Sequence, residues 1–212
     1  MKPEDYRREL GDVRLGEGSE IDPAAIVGYL SPRKGISSSL IIGSGARIRS
    51  GSVVYAGSTI GDGLETGHNV VIREQNEIGE RFNIWNNSVI DYGCTIGSDV
   101  KVHCNIYIAQ FTVIEDGVFM APGVTIANDI HPGCPQSGEC MRGPVLKRGC
   151  RIGVNVTIVP YVTIGEGTLV GSGSVVTRDL PPGVLAYGNP ARVHADLKDL
   201  RCKQGRREAP YA

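Results

Sequence analysis

No stretch of this chain holds more than four consecutive apolar residues, so no segment is long enough to cross a bilayer as a helix. The net charge is −1, and no basic cluster is large enough to leave the electrostatic footprint of a nucleic-acid partner. Met1 to Leu10 is polar and lacks the apolar core of a secretory signal. Six cysteines without such a signal predict reduced thiols in a cytoplasmic protein. Aromatic residues make up only 6% of the chain, so the core must be built without large rings. Glycine is in excess, 29 of 212 residues, about twice the roughly 7% of an average chain. That predicts many tight turns rather than long helices.

What is present is a repeat. Stepping by six from Ile42 gives Ile42, Ile48, Val54, Ile60, Thr66, Ile72, Ile78 and Ile84. The step continues through Ile90, Ile96, Val102, Ile108, Ile114, Met120 and Ile126, and only Thr66 is not aliphatic. The phase slips after Ile126 and resumes at Leu146, Ile152, Ile158, Ile164, Val170 and Val176; Leu15, Ile21 and Val27 predict an earlier coil. Four places after the aliphatic residue there usually stands a small or β-branched one, such as Ala46, Ser52, Ser58, Val70, Ser88 or Thr112, and glycine often follows the aliphatic residue directly. A period of six fits neither an amphipathic helix nor an ordinary hairpin. It fits a short strand and a turn per hexad, with three hexads closing one triangular coil. Coils then pair as parallel strands roughly 4.8 Å apart, and seven to eight of them give a column on the order of 35 Å tall.

The hexads of the form Ile-Gly-x-x-Ser/Val-x resemble those of the left-handed β-helix acyltransferase superfamily over about residues 15–193. The left hand of the coil comes from that resemblance; periodicity gives none. The fold expected is all-β, a left-handed parallel β-helix over 15–193 with a protruding loop at 127–145. Residues 191–202 predict a short amphipathic helix, so that 194–212 forms a C-terminal helix and tail within one domain spanning 1–212. Fold alone does not fix function.

The segment 127–145 breaks the repeat with turn residues and polar groups, and a loop leaving a rigid column is where function concentrates. Its surroundings, Met120-Ala-Pro-Gly-Val-Thr-Ile126 followed by His131-Pro132, resemble sugar acetyltransferases of the superfamily. The resemblance implies that His131 is a general base, which suits an imidazole titrating near neutrality. Asp129 or Glu139 could orient its ring. Read without that resemblance, His131 is an exposed loop histidine. Cys134 and Cys140 share the loop, but His-x2-Cys-x5-Cys matches no standard zinc spacing, and no metal is expected. Cys94 and Cys150 occupy the small-residue slot of their hexads and read as structural.

Asn69, Asn87 and Asn105 are spaced by eighteen residues and must stack on one corner of the prism. Asparagine tolerates left-handed backbone, so a structural ladder is the plain reading. His68, Asn86 and Cys104 form the adjoining column, with Trp85 and His103 beside it. These polar residues gather one or two coils below the loop, where an acceptor bound between subunits would lie. Ile84-Trp-Asn-Asn-Ser88, Val102-His-Cys-Asn-Ile106 and Ile114-Glu-Asp-Gly-Val-Phe119 look like N-acetyltransferases acting on nucleotide-linked amino sugars. That likeness implies an active-site role for Asn105 and substrate contacts from Trp85, Asn87 and His103. Many of those relatives lack a histidine matching His131, which leaves amine against hydroxyl open as acceptor.

The ending, Thr177-Arg-Asp-Leu-Pro-Pro-Gly183 and Ala186-Tyr-Gly-Asn-Pro-Ala-Arg-Val193, is a mark of acetyltransferases of this fold, where it lies near coenzyme A. Gly153 and Gly171 could leave a groove for the pantetheine arm, and Arg178 or Arg192 could neutralise phosphate. The reading that follows is an acetyl-CoA-dependent acyltransferase, cytoplasmic and homotrimeric, with a small-molecule acceptor and neither nucleic acid nor membrane as partner. Transfer to the amino group of a nucleotide-linked amino sugar is favoured. The alternatives are O-acetylation of a sugar hydroxyl, a non-catalytic scaffold, and a γ-type carbonic anhydrase. The last needs two histidines five residues apart, and His68, His103, His131 and His194 include no such pair.

Overall fold

The computed structural model describes residues 10–211. It is a left-handed parallel β-helix of eight triangular coils. Each coil crosses three faces in turn. The first face starts with Asp12–Leu15 and ends with Thr163–Ile164, the second runs from Glu20–Ile21 to Leu169–Val170, and the third from Ile26–Tyr29 to Val175–Val176. Ile84, Ile90 and Ile96, one per face, are all buried, and so are their equivalents from the second coil to the eighth; in the first coil Leu15 and Ile21 are exposed. Leu15, Ile21 and Val27 do form the first coil. Among the described residues no helix is long and apolar enough to cross a membrane.

The turns explain the composition. The third residue after the aliphatic position adopts left-handed backbone, as at Gly45, Gly51, Asn69, Asn87 and Asn105, except at Leu30, Asp129 and Asp179, where the regular coil is left. The fourth then points inward, and where it carries a hydroxyl it bridges two coils. Ser88 Oγ donates to the carbonyl of His103 at 2.8 Å and accepts from the backbone N–H of Ile106 at 3.1 Å. Thr66, the one polar member of the aliphatic series, is fully buried, and its Oγ1 accepts from the N–H of Arg49 at 2.9 Å. Cys94 and Cys150 lie in the same inward slot, and burial pushes both thiols up to about 12. They are core residues, not nucleophiles.

Two excursions leave the column. One spans residues 30–38 between the first two coils and went unpredicted; the other is the loop after Ile126. The top is closed by a hairpin in which Val184–Gly188 pairs parallel with Leu169–Val170 and antiparallel with Ala191–Asp196. Here the expected helix over 191–202 is corrected. Residues Ala191–Asp196 are a strand, and helical backbone is confined to a single 3-10 turn at Leu197–Asp199. The reason is a free edge: the second face offers unpaired backbone groups at its last strand, and local helix propensity gives way to pairing.

Candidate active site

The loop leaves the corner between the third and first faces. Its neck is closed by the N–H of Arg142 donating to the carbonyl of Asn128 at 2.8 Å, and it carries one helical turn, Ser137–Cys140. His131 is exposed on it. Asp129 does not hold the ring: its Oδ1 accepts from the backbone N–H of His131 at 2.7 Å. Glu139, at the helical turn, makes no hydrogen bond to the imidazole either. From the coil above, the Tyr161 hydroxyl donates to the carbonyl of Cys140, and the Arg142 guanidinium lies 5.7 Å from the Tyr161 ring centroid. Among the described residues no three His, Cys, Asp or Glu side chains come together as a metal site.

The asparagine column occupies the other edge of the third face, the corner between the second and third faces. Asn69, Asn87 and Asn105 have φ of 58°, 59° and 59°, and Asn69 Nδ2 donates to Asn87 Oδ1 at 3.3 Å. Half-buried Trp85 and His103 stand one above the other beside them, with the His103 ring edge-on to Phe119 at 5.1 Å. Trp85, Asn87, His103 and Asn105 are therefore brought together. His131, Asp129 and Glu139 are not with them. One side of the prism lies between, a span of six residues and at most about 20 Å. The spacing carried this signal: eighteen residues beyond Asn105 is Gly123, so a loop starting at 127 belongs to the next corner.

The residues assigned to the acyl donor also divide. Gly153 and Gly171 lie on the asparagine corner two and three coils above Asn105. A Cβ on Gly153 would meet the N of Ser172 at 2.6 Å, and one on Gly171 the Cβ of Tyr187 at 2.8 Å. Close stacking of successive coils thus already demands glycine at both. Arg192, on the terminal hairpin opposite Tyr187, lies toward the same corner, whereas exposed Arg178 tops the loop corner. Next to Arg178 the first face holds a depression of about 720 Å³ lined by Glu115, Lys147, Thr163, Glu166, Asp179 and Pro181.

Sequence reasoning missed a polar seam on the loop corner. Glu74 has a fully covered side chain and receives Arg73 at 3.0 Å, Arg33 at 3.1 Å and Ser31 Oγ at 2.9 Å. Burial opposes its ionisation, but hydrogen bonds from its own backbone N–H, Arg73, Ser31 and Arg33 outweigh that and hold the carboxyl below its ordinary range. The Arg33 guanidinium stacks 3.6 Å from the Tyr92 ring centroid, which ties the 30–38 excursion to the column. Arg73 also reaches Asp91 at 3.3 Å, and Asp91 continues to Gln110 and Asn128. The eighteen-residue step from Gln110 to Asn128 was readable; Arg33, reaching back from an irregular excursion, was not.

The outer surface of the third face, between these corners, is Ile26, Val53, Val71, Val89, Tyr107, Thr125, Thr157 and Val175, with no charged residue. The second face in the same register carries Glu20, Arg47, Glu65, Lys101 and Arg151.

The family model for bacterial transferase hexapeptide (six repeats) matches residues 93–128 and 143–178, the blocks on either side of the loop. Both matched blocks fall on the six-residue steps that build the column. Among curated relatives it is 26% identical over 143 residues to an acyl-[acyl-carrier-protein]–UDP-N-acetylglucosamine O-acyltransferase of Campylobacter concisus, covering 62% of this chain and 55% of the relative. It is 27% identical over 129 residues to the bifunctional protein GlmU of Clostridium botulinum, covering 58% of this chain and 26% of the relative. The chain thus spans about half the length of the first relative and a quarter of the second. LpxA of Bacteroides fragilis, a UDP-N-acetylglucosamine acyltransferase, superposes with a TM-score of 0.71 at 19% identity, over 92% of this chain and 74% of that one. That likeness shows the fold.

Proposed function

We propose that this protein is an acyl-CoA-dependent acyltransferase that works as a homotrimer. Its reaction is transfer of an acetyl group to the amino group of a nucleotide-linked amino sugar. The observation that carries this reading is the separation of His131 and Asn105 to opposite edges of the charge-free third face. Three prisms presenting that face to a common axis bring the loop edge of one against the asparagine edge of the next. His131 of one protomer then meets Trp85, Asn87, His103 and Asn105 of its neighbour, and neither set is complete alone. Relatives named for acyl transfer involving UDP-N-acetylglucosamine support the substrate class.

In this assembly His131 takes the proton of the attacking acceptor, a contribution of about 10²–10⁴-fold for a positioned base. A backbone N–H at a coil turn steadies the oxyanion of the tetrahedral intermediate, which collapses by breaking the thioester C–S bond; CoA leaves as the thiol, taking back the proton that His131 removed from the acceptor. Arg178 and Arg192 are on hand for the phosphates of the donor, with Gly153 and Gly171 along the groove. The test is subunit complementation. His131→Ala and Asn105→Ala chains, each inactive alone, are co-expressed. Random closed trimers then regain about a quarter of wild-type turnover, the fraction of sites that pair two intact halves. No recovery sinks the shared site.

The second reading is a hydroxyl acceptor, favoured by the Campylobacter relative, which is named as an O-acyltransferase. A screen of amino-sugar nucleotides against simple sugars with acetyl-CoA separates the two. His131→Ala tests the base itself: it should cost at least about a hundredfold if His131 is the base for either acceptor, and under about tenfold if an amine arrives unprotonated.

A further inference from the structure

Gln110 touches nothing in the chemistry above, yet it bridges the polar seam to the loop. We infer that Asp91, Gln110 and Asn128 form a directional hydrogen-bond chain that positions the His131 loop; this rests on the reading of His131 as the base. Asp91 is 6% exposed and its carboxylate can only accept. Its Oδ1 takes the N–H of Tyr92 at 2.8 Å and faces Arg73. Its Oδ2 takes the Tyr107 hydroxyl at 2.8 Å and Gln110 Nε2 at 2.7 Å. Burial, together with Asp91, pushes the Tyr107 hydroxyl above its ordinary range and keeps it a donor.

An acceptor-only partner dictates how the amide of Gln110 lies. Nitrogen must face Asp91, so oxygen faces upward, and Asn128 must answer with Nδ2, at 2.7 Å. Asn128 is nearly buried, and its carbonyl closes the loop neck by accepting from Arg142. The residue three places before His131 is thereby held through side chain and backbone at once. Every orientation in the chain follows from the charge at its foot. Gln110 and Asn128 are positioning residues, since they act on His131 through the neck of its loop.

Hydrogen exchange of loop amides 129–141, read on the intact protein with coil amides as the control for folding, tests this. Gln110→Leu should lower loop protection at least about tenfold with coil protection unchanged. It should lower kcat about tenfold while the KM for acetyl-CoA moves less than about twofold. Unchanged loop protection overturns the inference. Lost protection with unchanged kcat supports the chain and overturns His131 as base, so the two failures are distinct.

Gln110→Glu adds a readout that a merely structural role would not move. At pH 8 its carboxylate opposes Asp91 and frees the loop; the neighbouring Asp91 charge and partial burial raise its pKa, so that near pH 5 it is protonated and again donates to Asp91 and accepts from Asn128. Other charged or titratable groups beside the chain are Arg73, Tyr107 and Cys94, which contact Asp91, and Glu74 behind Arg73; on the loop, Asp129 turns to the His131 N–H and Arg142 to Tyr161. Wild type is therefore measured at both pH values. Protection returning to within about twofold of wild type at pH 5 supports the chain. No return overturns it.

Discussion

The two edges of the third face turn the chain with the same backbone device and use it to opposite ends. At the asparagine edge the left-handed positions above Ala24 of the first coil are all glycine or asparagine, Asn69, Asn87 and Asn105 among them, residues that adopt this conformation at little cost. At the loop edge, beside Gly57 and Gly93, they are Gln75, Phe111 and Tyr161, for which it costs roughly 1–2 kcal/mol each. Each of these three reaches a neighbour that a small residue could not. Gln75 accepts from Arg33 at 3.0 Å, Phe111 packs edge-on to Tyr92 at 5.5 Å, and Tyr161 holds the Cys140 carbonyl. One edge is built for backbone comfort and leaves its polar side chains exposed. The other gives up that comfort to tie excursions to the column.

The comparison breaks most completely if the edges never meet. Val71→Arg with Val89→Arg puts two charges on the third face, and light scattering should record a fall in mass from trimer to monomer, about threefold. Lys101→Glu, on the already charged second face, should leave the mass alone. Next in size is Glu74→Ala, which removes the carboxylate that two guanidinium groups share. We expect a loss of about 2 kcal/mol in urea unfolding, below the value for a fully buried pair because both arginines keep some water. The folded-state pKa of Glu74 is depressed, so its stabilisation is full above the ordinary value of 4.5 and is lost as pH falls through the lower folded value. The melting temperature of Glu74→Gln should accordingly depend less on pH below 4.5 than that of wild type. The smallest effects sharpen the contrast. Phe111→Gly relieves the left-handed backbone but loses the Tyr92 contact, for a net cost of about 1 kcal/mol, whereas Asn87→Gly stays within about 0.5 kcal/mol.

The eight coils were legible because each hexad is set by its own residues, an aliphatic one inward and a left-handed one three places on. The ladder of Asn69, Asn87 and Asn105 and the inward slots of Cys94 and Cys150 followed from the same arithmetic. It also contained the corner of the loop, which a plain count of coils passed over when it set His131 above Asn105. What local pattern could not carry were contacts made by excursions. Arg33 meets Glu74 across 41 residues, through a segment with no period. The terminal strand Ala191–Asp196 was misread for a related reason, since it folds back on Val184–Gly188, whose own place is fixed by pairing with Leu169–Val170 sixteen residues earlier.

That terminal strand and the prolines beside it bear on assembly in another way. A parallel column is a template at every rung, and an open last rung would accept a rung from another molecule as readily as one of its own. Here the second face ends in a strand running against all those beneath it, edged by Arg192, His194 and Asp196. On the first face Leu180 makes one last bridge to Ile164, and Pro181 and Pro182, which have no N–H to offer, follow at once. The molecule carries its own stop signal against growth into a fibre, written in strand direction and missing donors rather than in bulk.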